Sequence, residues 1–178
     1  AEKLWESVKD LVAPEVLMSE EDDRCEKGMD GTWRATCINH DLLFVRYRDG
    51  GHFSPHTDGY TIWDFNRRSF YSCLVYLNTC GGGGGTRLLS CPDKETFILD
   101  DGGRFRWPEE TLVYNVPAEE GTALIFSQDL PHEGEPVHEG NMKYIIRTDV
   151  MYERVDKRCD DPEGRAAYQL FREAELVE

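Results

Sequence analysis

The sequence predicts a mainly β protein, an antiparallel sandwich or jelly roll with helices packed on the outside. Short runs rich in β-branched and aromatic residues recur along the chain, and turn-forming segments such as GGGGG and DDGG separate them. Because no helical pattern lies between these runs, the chain does not form βαβ units. The predicted strands span residues 42–47, 69–77, 85–89, 95–99, 111–116, 122–126 and 143–152. The mouth of such a roll is a common position for a small-molecule site.

Helices are predicted only at the two ends of the chain. At the amino end, apolar residues at helical spacing indicate a helix that ends before Pro14, with Leu4, Val8, Leu11 and Val12 on one face. At the carboxyl end, Asp161 is a candidate N-cap and Pro162 a first helical residue. The apolar face of this second helix consists of Ala167, Leu170, Phe171 and Ala174. Residues 18–31 are acidic and contain glycine, which predicts a surface loop.

Length, charge and cysteine content limit the function classes. A chain of 178 residues fits one domain over 1–178. Its net charge of −15 argues against a nucleic-acid partner, because phosphate binding needs clustered Lys and Arg. No apolar run approaches the ~20 residues of a membrane span, so no membrane partner is expected. Six cysteines without a CxxC pair argue against a structural zinc site and favour a reducing, cytoplasmic location.

One short motif, His56-Thr57-Asp58, carries the strongest chemical signal. On a strand, residues two apart point to the same face, so one imidazole and one carboxylate would lie together. They supply two of the three ligands of a facial triad, which suits non-haem Fe(II) and leaves coordination positions open. Among the remaining histidines, His132 follows an apolar strand and is the best third ligand. His138 is expected in a solvated loop, His52 is a weaker candidate, and His40 is expected to be exposed.

Two basic residues of the last predicted strand could complete such a site. Lys143 lies eleven residues after His132, and Arg147 shares its face four residues later. A buried cation at this position could pair with the distal carboxylate of a dicarboxylic cosubstrate. The alternative is a strand whose Lys and Arg face outward into solvent.

Five ordered blocks resemble the prolyl 4-hydroxylase-like group of the 2-oxoglutarate and Fe(II) dependent dioxygenases. YRDGGHFSPHTDG (47–59) fits the Y-x-x-G-G-x-[FY]-x-x-H-x-D pattern of the group. SCLVYLNTCGGGGGTRLL (72–89) resembles its strand followed by G-G-x-T-x-F, although Leu88 replaces the usual Phe. VPAEEGTALIFSQDLPHEGEPVHEGNMKY (116–144) resembles the last blocks of the pattern. The resemblance covers about residues 40–152 and implies a double-stranded β-helix core there, with the two helices flanking it.

Carried over residue by residue, the resemblance implies a set of functional residues. The metal ligands and catalytic centre would be His56, Asp58 and His132, and Lys143 would bind the 5-carboxylate of 2-oxoglutarate. The spacing from His132 to Lys143 is one longer than in the collagen-type enzymes, where Met142 would be the lysine, so Arg147 stays an alternative. The further cosubstrate-binding candidates are Tyr47, Tyr76 and Thr86. Both tyrosines could instead be aromatic core residues.

The activity implied by the resemblance is hydroxylation, favouring a prolyl residue of a peptide or protein. Fe(II), 2-oxoglutarate and O2 would be required, ascorbate would support turnover, and an Fe(IV)-oxo intermediate would accompany the release of succinate and CO2. The alternatives are an oxygenase of a small molecule or another side chain, a silent jelly-roll binding module, and a structural zinc site using His52, His56 and His132. Residues 90–115 would either cover the substrate groove or form a plain hairpin, and residues 61–68 are a second candidate lid.

Overall fold

The computed structural model describes residues 1–22, 25, 28–90 and 97–175. The chain divides into two compact units. The first comprises residues 1–40, 60–70 and 149–178, and the second comprises residues 41–59 and 71–148. Within the described residues, no helix is long and apolar enough to cross a membrane. A single domain over 1–178 stays a prediction.

The second unit is built from antiparallel strands. Its strands are β3 (Leu43–Arg48), β4 (Phe53–His56), β7 (Thr86–Leu89), β8 (Ile98–Leu99), β9 (Phe105–Arg106), β10 (Leu112–Val116), β11 (Ala123–Ser127) and β12 (His132–Gly134), with parts of β6 (Arg67–Tyr76) and β13 (Met142–Arg154). One sheet runs in the order β3-β13-β6-β11 and another in the order β10-β7-β12-β4, while β8 and β9 form a separate hairpin. This arrangement confirms the predicted jelly roll.

The burial of each strand follows from its side-chain pattern. In β3, Val45 and Tyr47 are partly buried while Phe44, Arg46 and Arg48 face outward, which is the alternation of a strand with one covered face. In contrast, the central strand β6 is buried on both faces along most of its length, although Arg68, Ser69 and Ser72 lie among its apolar residues.

A shared core lies between the two larger sheets of the second unit. It contains buried side chains from β6, β10, β11 and β13, and partly buried side chains from β3, β7 and β11 pack against them. The buried members are Leu74, Tyr76, Val116, Ala118, Phe126 and Ile145. Removal of this apolar surface from water stabilises the roll, at about 25 cal/mol per Å².

The first unit contains the terminal helices and a smaller set of strands. Its elements are α1 (Glu2–Val8), β1 (Glu15–Met18), β2 (Gly31–Ile38), β5 (Ile62–Asp64), α2 (Pro162–Glu175) and the remaining parts of β6 and β13. Both predicted helices are present, and the Gly164 amide donates to Asp161 Oδ1 at 2.9 Å, as expected for an N-cap. The predicted apolar face of α2 is exposed, however, since Leu170 and Phe171 lie on its solvent side.

Several strands were not predicted. β1, β2, β4, β5 and β12 are short, or they mix polar and apolar residues too evenly to stand out. In β2, threonine and arginine alternate with Trp33, Ala35 and Cys37, which hides a strand that pairs with β1 and with residues 150–154 of β13. The proposed lid at residues 61–68 forms β5 and the start of β6 in the first unit. Of the predicted strand 95–99, residues 98–99 are β8, whereas 95 and 96 lie outside the described residues.

Candidate metal centre and adjoining cavity

Three side chains of the second unit bring their donor atoms together at the ends of neighbouring strands. His56 ends β4, His132 begins β12, and the register of these two strands sets them opposite each other. Asp58 follows two residues after His56. One donor atom from each side chain lies within 4.8 Å of the others. The sequence therefore located a cluster that adjacent strands assemble.

Both histidines present the same ring nitrogen to this cluster. His56 Nδ1 lies 2.7 Å from the Ser54 carbonyl oxygen, and His132 Nδ1 lies 2.9 Å from the Leu130 carbonyl oxygen. Because a carbonyl only accepts, each Nδ1 carries the proton and donates it. The Nε2 atoms then hold free lone pairs, at 3.7 Å and 3.8 Å from the carboxylate oxygens of Asp58. Backbone acceptors of this kind fix metal-binding histidines in place.

The carboxylate of Asp58 is held by partners on both oxygens. Arg147 Nη2 lies 2.9 Å from Oδ1, and the Ser72 hydroxyl donates to Oδ2. Burial raises the pKa of Asp58, but the neighbouring His56, the hydrogen bond from the Ser72 hydroxyl and the charge of Arg147 outweigh it and hold the pKa well below its usual range. Asp58 is therefore an anion that can serve as a metal ligand.

Neutral imidazole is the form of His132 that can bind a metal. Burial lowers the pKa of His132, against the opposing effect of its hydrogen bond to the Leu130 carbonyl. Its ring also packs on Phe126, with centroids 4.6 Å apart. Phe126 thus adds an apolar wall behind this ligand.

The other histidines do not join the cluster. His138 is exposed, and its ring lies against the backbone of Gly82 and Gly83. His52 directs Nδ1 to the Gly50 carbonyl oxygen at 3.1 Å, and His40 stacks on Trp63 within the first unit. In the part of the chain that the structure describes, the candidate metal-binding group contains Asp58 and not His52. The alternative of a zinc site using His52, His56 and His132 was therefore wrong.

A cavity of about 440 Å³ adjoins the three residues of this cluster. Its walls come from both large sheets of the second unit, with Val45, Tyr47, Leu74 and Ile145 from one sheet and Thr86 and Gly134 from the other. Lys143 and Arg147 also line it. The volume and the mainly apolar lining with a few charged groups are typical of a small-molecule site.

Lys143 lies on the same cavity as the ligands but is buried, with 3% of its surface exposed. Its Nζ lies 5.3 Å from the ring centre of Tyr47 and 5.5 Å from that of Tyr76. Among the residues that the structure describes, no side-chain hydrogen bond or salt bridge to this ammonium group is formed, while the backbone of Lys143 pairs with Tyr47 in β3. Burial lowers the pKa of Lys143 to about 8, although Cys80 and Glu135 oppose this shift. A buried cation without a carboxylate creates a site for an anion.

The two tyrosines near Lys143 differ in what their hydroxyl groups can do. Tyr76 is fully buried, and its hydroxyl donates to Thr86 Oγ1 at 2.7 Å. Tyr47 lines the cavity opposite Lys143 in the register of β3 and β13. Burial raises the pKa of both tyrosines, so both hydroxyls are protonated near neutral pH. Their part in cosubstrate binding, and that of Thr86, remains a prediction.

The sequence interpretation missed Ser72 and the contact between Arg147 and Asp58. Ser72 lies in the predicted strand 69–77 and shares its face with Leu74 and Tyr76. A single hydroxyl on an inward face of a core strand is the signal that could have identified it. From the sequence, Arg147 was expected either to bind a cosubstrate carboxylate or to face solvent, and not to contact Asp58.

A family model described as the 2OG-Fe(II) oxygenase superfamily matches residues 42–148. Comparison with curated protein sequences returns no significant match. The chain is similar to a solved prolyl-4-hydroxylase of Pseudomonas putida, at 19% identity and a TM-score of 0.40, with 67% of this chain and 54% of that chain covered.

Two further solved structures are similar. One is a prolyl hydroxylase from Trichoplax adhaerens in complex with a hypoxia inducible factor oxygen degradation domain peptide fragment, at 19% identity and a TM-score of 0.42, with 76% of this chain and 49% of that chain covered. The other is a viral collagen prolyl hydroxylase from Paramecium Bursaria Chlorella virus-1, at 19% identity and a TM-score of 0.37, with 64% and 62% covered. The chain therefore spans between 49% and 62% of the length of these three structures.

Proposed function

Because the chain belongs to the 2OG-Fe(II) oxygenase superfamily, we propose that it hydroxylates a prolyl residue in a peptide or protein. The membership confirms the predicted enzyme class, a dioxygenase that depends on Fe(II) and 2-oxoglutarate. One observation carries the proposal. A single cavity has a histidine–aspartate–histidine cluster on its wall and, separately, a buried lysine that forms no salt bridge with any described carboxylate.

The donor set fits Fe(II). Two imidazole Nε2 atoms and one ionised carboxylate form the facial triad that non-haem iron prefers, and such a set leaves positions for further ligands. His56, Asp58 and His132 would hold the metal. Ser72 and Arg147 would keep Asp58 oriented and ionised, which supports metal binding from behind the ligands.

The lysine fits the far carboxylate of 2-oxoglutarate. Lys143 is the buried cation of the cavity, and an anion beside it would offset the cost of its burial. The Tyr47 hydroxyl lies on the same wall and could donate to that carboxylate. Arg147 is less suitable because Asp58 already occupies its guanidinium. We therefore favour Lys143 over Arg147.

Iron and 2-oxoglutarate, when bound, would supply the oxidising chemistry, and ascorbate is expected to keep the iron reduced. The protein contributes position and exclusion of water. Val45, Leu74 and Ile145 line the cavity with apolar surface, so the bound groups are shielded from solvent. No side chain is required as a general acid or base, which agrees with a cluster whose members serve as ligands.

The proposed substrate follows from the mouth of the cavity and from the motifs. Leu43 and Phe53 line the cavity yet are half exposed, so they lie at its rim. An apolar rim suits the ring of a proline better than a charged side chain. The prolyl 4-hydroxylase-like motifs at residues 47–59 and 116–144 point to the same substrate class.

Mass spectrometry of proline-containing peptide libraries tests this function. The libraries are incubated with the protein, Fe(II), 2-oxoglutarate and ascorbate, and succinate is measured in parallel. We expect succinate together with peptides that gain one oxygen atom on proline. Oxygen gained on another residue, or only on a small molecule, would refute the prolyl substrate. Absence of both Fe(II) and 2-oxoglutarate binding would refute the oxygenase as a whole.

A further inference from the structure

A β-hairpin of the second unit carries an exposed apolar face. Strands β8 and β9 pair so that Leu99 lies opposite Phe105, and residues directly opposite in an antiparallel pair share a face. Leu99 is 64% exposed and Phe105 is 57% exposed. Phe97 has the same parity as Leu99, and its ring centre lies 6.2 Å from that of Phe105. Three large apolar side chains therefore form one outward surface, called here the hairpin face.

The opposite side of the hairpin is fixed to the strand that carries a metal ligand. Arg106 Nε lies 2.8 Å from Glu133 Oε2, and Glu133 directly follows His132 in β12. Glu133 is 1% exposed and also pairs with Arg87, whose Nε lies 2.8 Å from Oε1. A carboxylate buried between two guanidinium groups has a defined geometry, because planar forks match its oxygens. The side of the hairpin opposite the hairpin face is thus held to β12 by the ion pair between Arg106 and Glu133.

The hairpin also lies beside the rim of the cavity. Strand β9 is adjacent to β4, which ends at His56. Phe53 of β4 lines the cavity, and its ring centre lies 4.2 Å from that of His56. Apolar surface is therefore present at the metal ligand, at the cavity rim and on the neighbouring hairpin.

We propose that the hairpin face binds an apolar side chain of the polypeptide substrate, a few residues away from the residue that enters the cavity. The proposal rests on the proposed function. A ligand confined to the cavity would not reach a face outside it, whereas an extended chain leaving the cavity past Phe53 would pass along β4 to β9. Exposed apolar clusters on a well-fixed element are typical of sites that bind an apolar side chain of a partner polypeptide.

The wild-type protein gives the first test. In peptide libraries with randomised flanks, hydroxylated peptides should be enriched for an apolar residue at one fixed offset from the modified residue. Hydroxylated peptides with no such preference at any offset would overturn the proposal and leave the proposed function intact. If no peptide is hydroxylated, the proposed function itself fails.

A double variant gives the second test, on a hydroxylated peptide from that library. Leu99→Ser with Phe105→Ser should raise the KM for the peptide about tenfold, which corresponds to about 1.4 kcal/mol. The kcat and the KM for 2-oxoglutarate should not change. The matched control is Leu17→Ser with Phe171→Ser, at residues 71% and 57% exposed in the first unit, and it should leave all three constants unchanged.

Two results would overturn the proposal. The first is an unchanged KM for the peptide in the hairpin variant. The second is a change of oligomeric state. If sedimentation shows that the wild type is a dimer and the hairpin variant a monomer with unchanged KM, a second copy of the chain occupies the hairpin face.

Discussion

Lys143 and Arg147 lie four residues apart on β13, and both line the same cavity. Their surroundings differ. Arg147 is one third exposed and binds the carboxylate of Asp58 at 2.9 Å. Lys143 is buried between two aromatic rings, and none of the described carboxylates pairs with it. Two basic residues that the sequence offered as alternative partners of the cosubstrate carboxylate therefore have different chemical environments in the fold.

This difference divides the cavity into two ends. At the metal end, His56, Asp58 and His132 have their hydrogen bonds in place, so the cluster is organised for a cation. At the lysine end, the charge of Lys143 is buried and only partly compensated by Cys80 and Glu135, so the cavity is organised for an anion. A molecule with a chelating group and a distant carboxylate, as in 2-oxoglutarate, matches both ends. Substitutions that alter one end of the cavity and leave the other intact can therefore separate the two roles.

Removal of the charge at the metal end should have the largest effect. Asp58→Ala removes the anionic ligand and leaves Arg147 near the metal position without a partner. We expect Fe(II)-dependent succinate formation to fall to background and Fe(II) binding, followed by titration calorimetry, to be lost. Asp156→Ala changes an exposed carboxylate of the first unit and should retain both. Wild-type Fe(II) affinity in Asp58→Ala would contradict the assignment.

Substitution of each of the two histidines after β11 should have a smaller effect than Asp58→Ala, and the two variants should differ clearly from each other. His132→Ala removes one neutral ligand, and Fe(II) affinity should fall by about 100-fold or more. His138→Ala changes an exposed ring six residues later, and affinity and turnover should stay within about twofold of wild type. The opposite result, with His138→Ala inactive and His132→Ala fully active, would show that the third ligand is wrong.

The lysine end can be tested through stability alone. The pKa of Lys143 is about 8 in the folded protein and near 10.5 in the unfolded chain, so the unfolded state binds more protons between these values. The buried charge therefore costs stability in full below pH 8, and the cost disappears as the pH rises towards 10.5. Lys143→Met should raise the free energy of unfolding by up to about 3 kcal/mol at pH 7 without ligand.

Denaturant titrations across pH measure this effect. The gain from Lys143→Met should be largest near pH 7 and approach zero above pH 10.5. Lys157→Met changes an exposed lysine paired with Glu153 and should give no gain. A destabilised Lys143→Met protein at pH 7 would mean that the lysine is already compensated in the folded state.

The hydroxyl groups beside Lys143 should give the smallest effects. Tyr47→Phe removes the hydroxyl of a residue that lines the cavity and should weaken 2-oxoglutarate binding by about tenfold, the value of one charge-assisted hydrogen bond. Tyr76→Phe removes a hydroxyl that donates to Thr86, so it should cost about 1 kcal/mol of stability with little change in affinity. Equal losses of affinity would mean that Tyr76 also reaches the ligand.

The sequence predicted the fold class and the ligand cluster for physical reasons that can be named. The two-residue spacing of His56 and Asp58 indicated that they lie close together, although β4 ends at His56 and Asp58 lies just beyond it, and His132 follows a recognisable apolar strand. The long strands β6 and β13 were found because each contains a run of β-branched, aromatic and other apolar residues, at 73–76 and 144–146. These features depend on local spacing.

The features that were missed depend on contacts between distant parts of the chain. Ser72 and Arg147 meet at Asp58 only after β6 and β13 have folded. The choice between Lys143 and Arg147 could not be made from spacing because both occupy the same face of one strand. The exposure of the apolar face of α2 was not foreseen for the same reason. Helical periodicity identifies an apolar face but does not reveal whether that face packs against the rest of the protein.

The most direct measurement is the affinity for 2-oxoglutarate, titrated anaerobically into Fe(II)-saturated protein, for wild type, Lys143→Ala and Arg147→Ala. We predict that Lys143→Ala weakens the Kd by about 100-fold, because the cosubstrate carboxylate loses its buried partner. Arg147→Ala should weaken it by less than about fivefold, because Arg147 acts on Asp58 and not on the cosubstrate. A larger loss in Arg147→Ala than in Lys143→Ala would contradict the division of the cavity into a metal end and a lysine end.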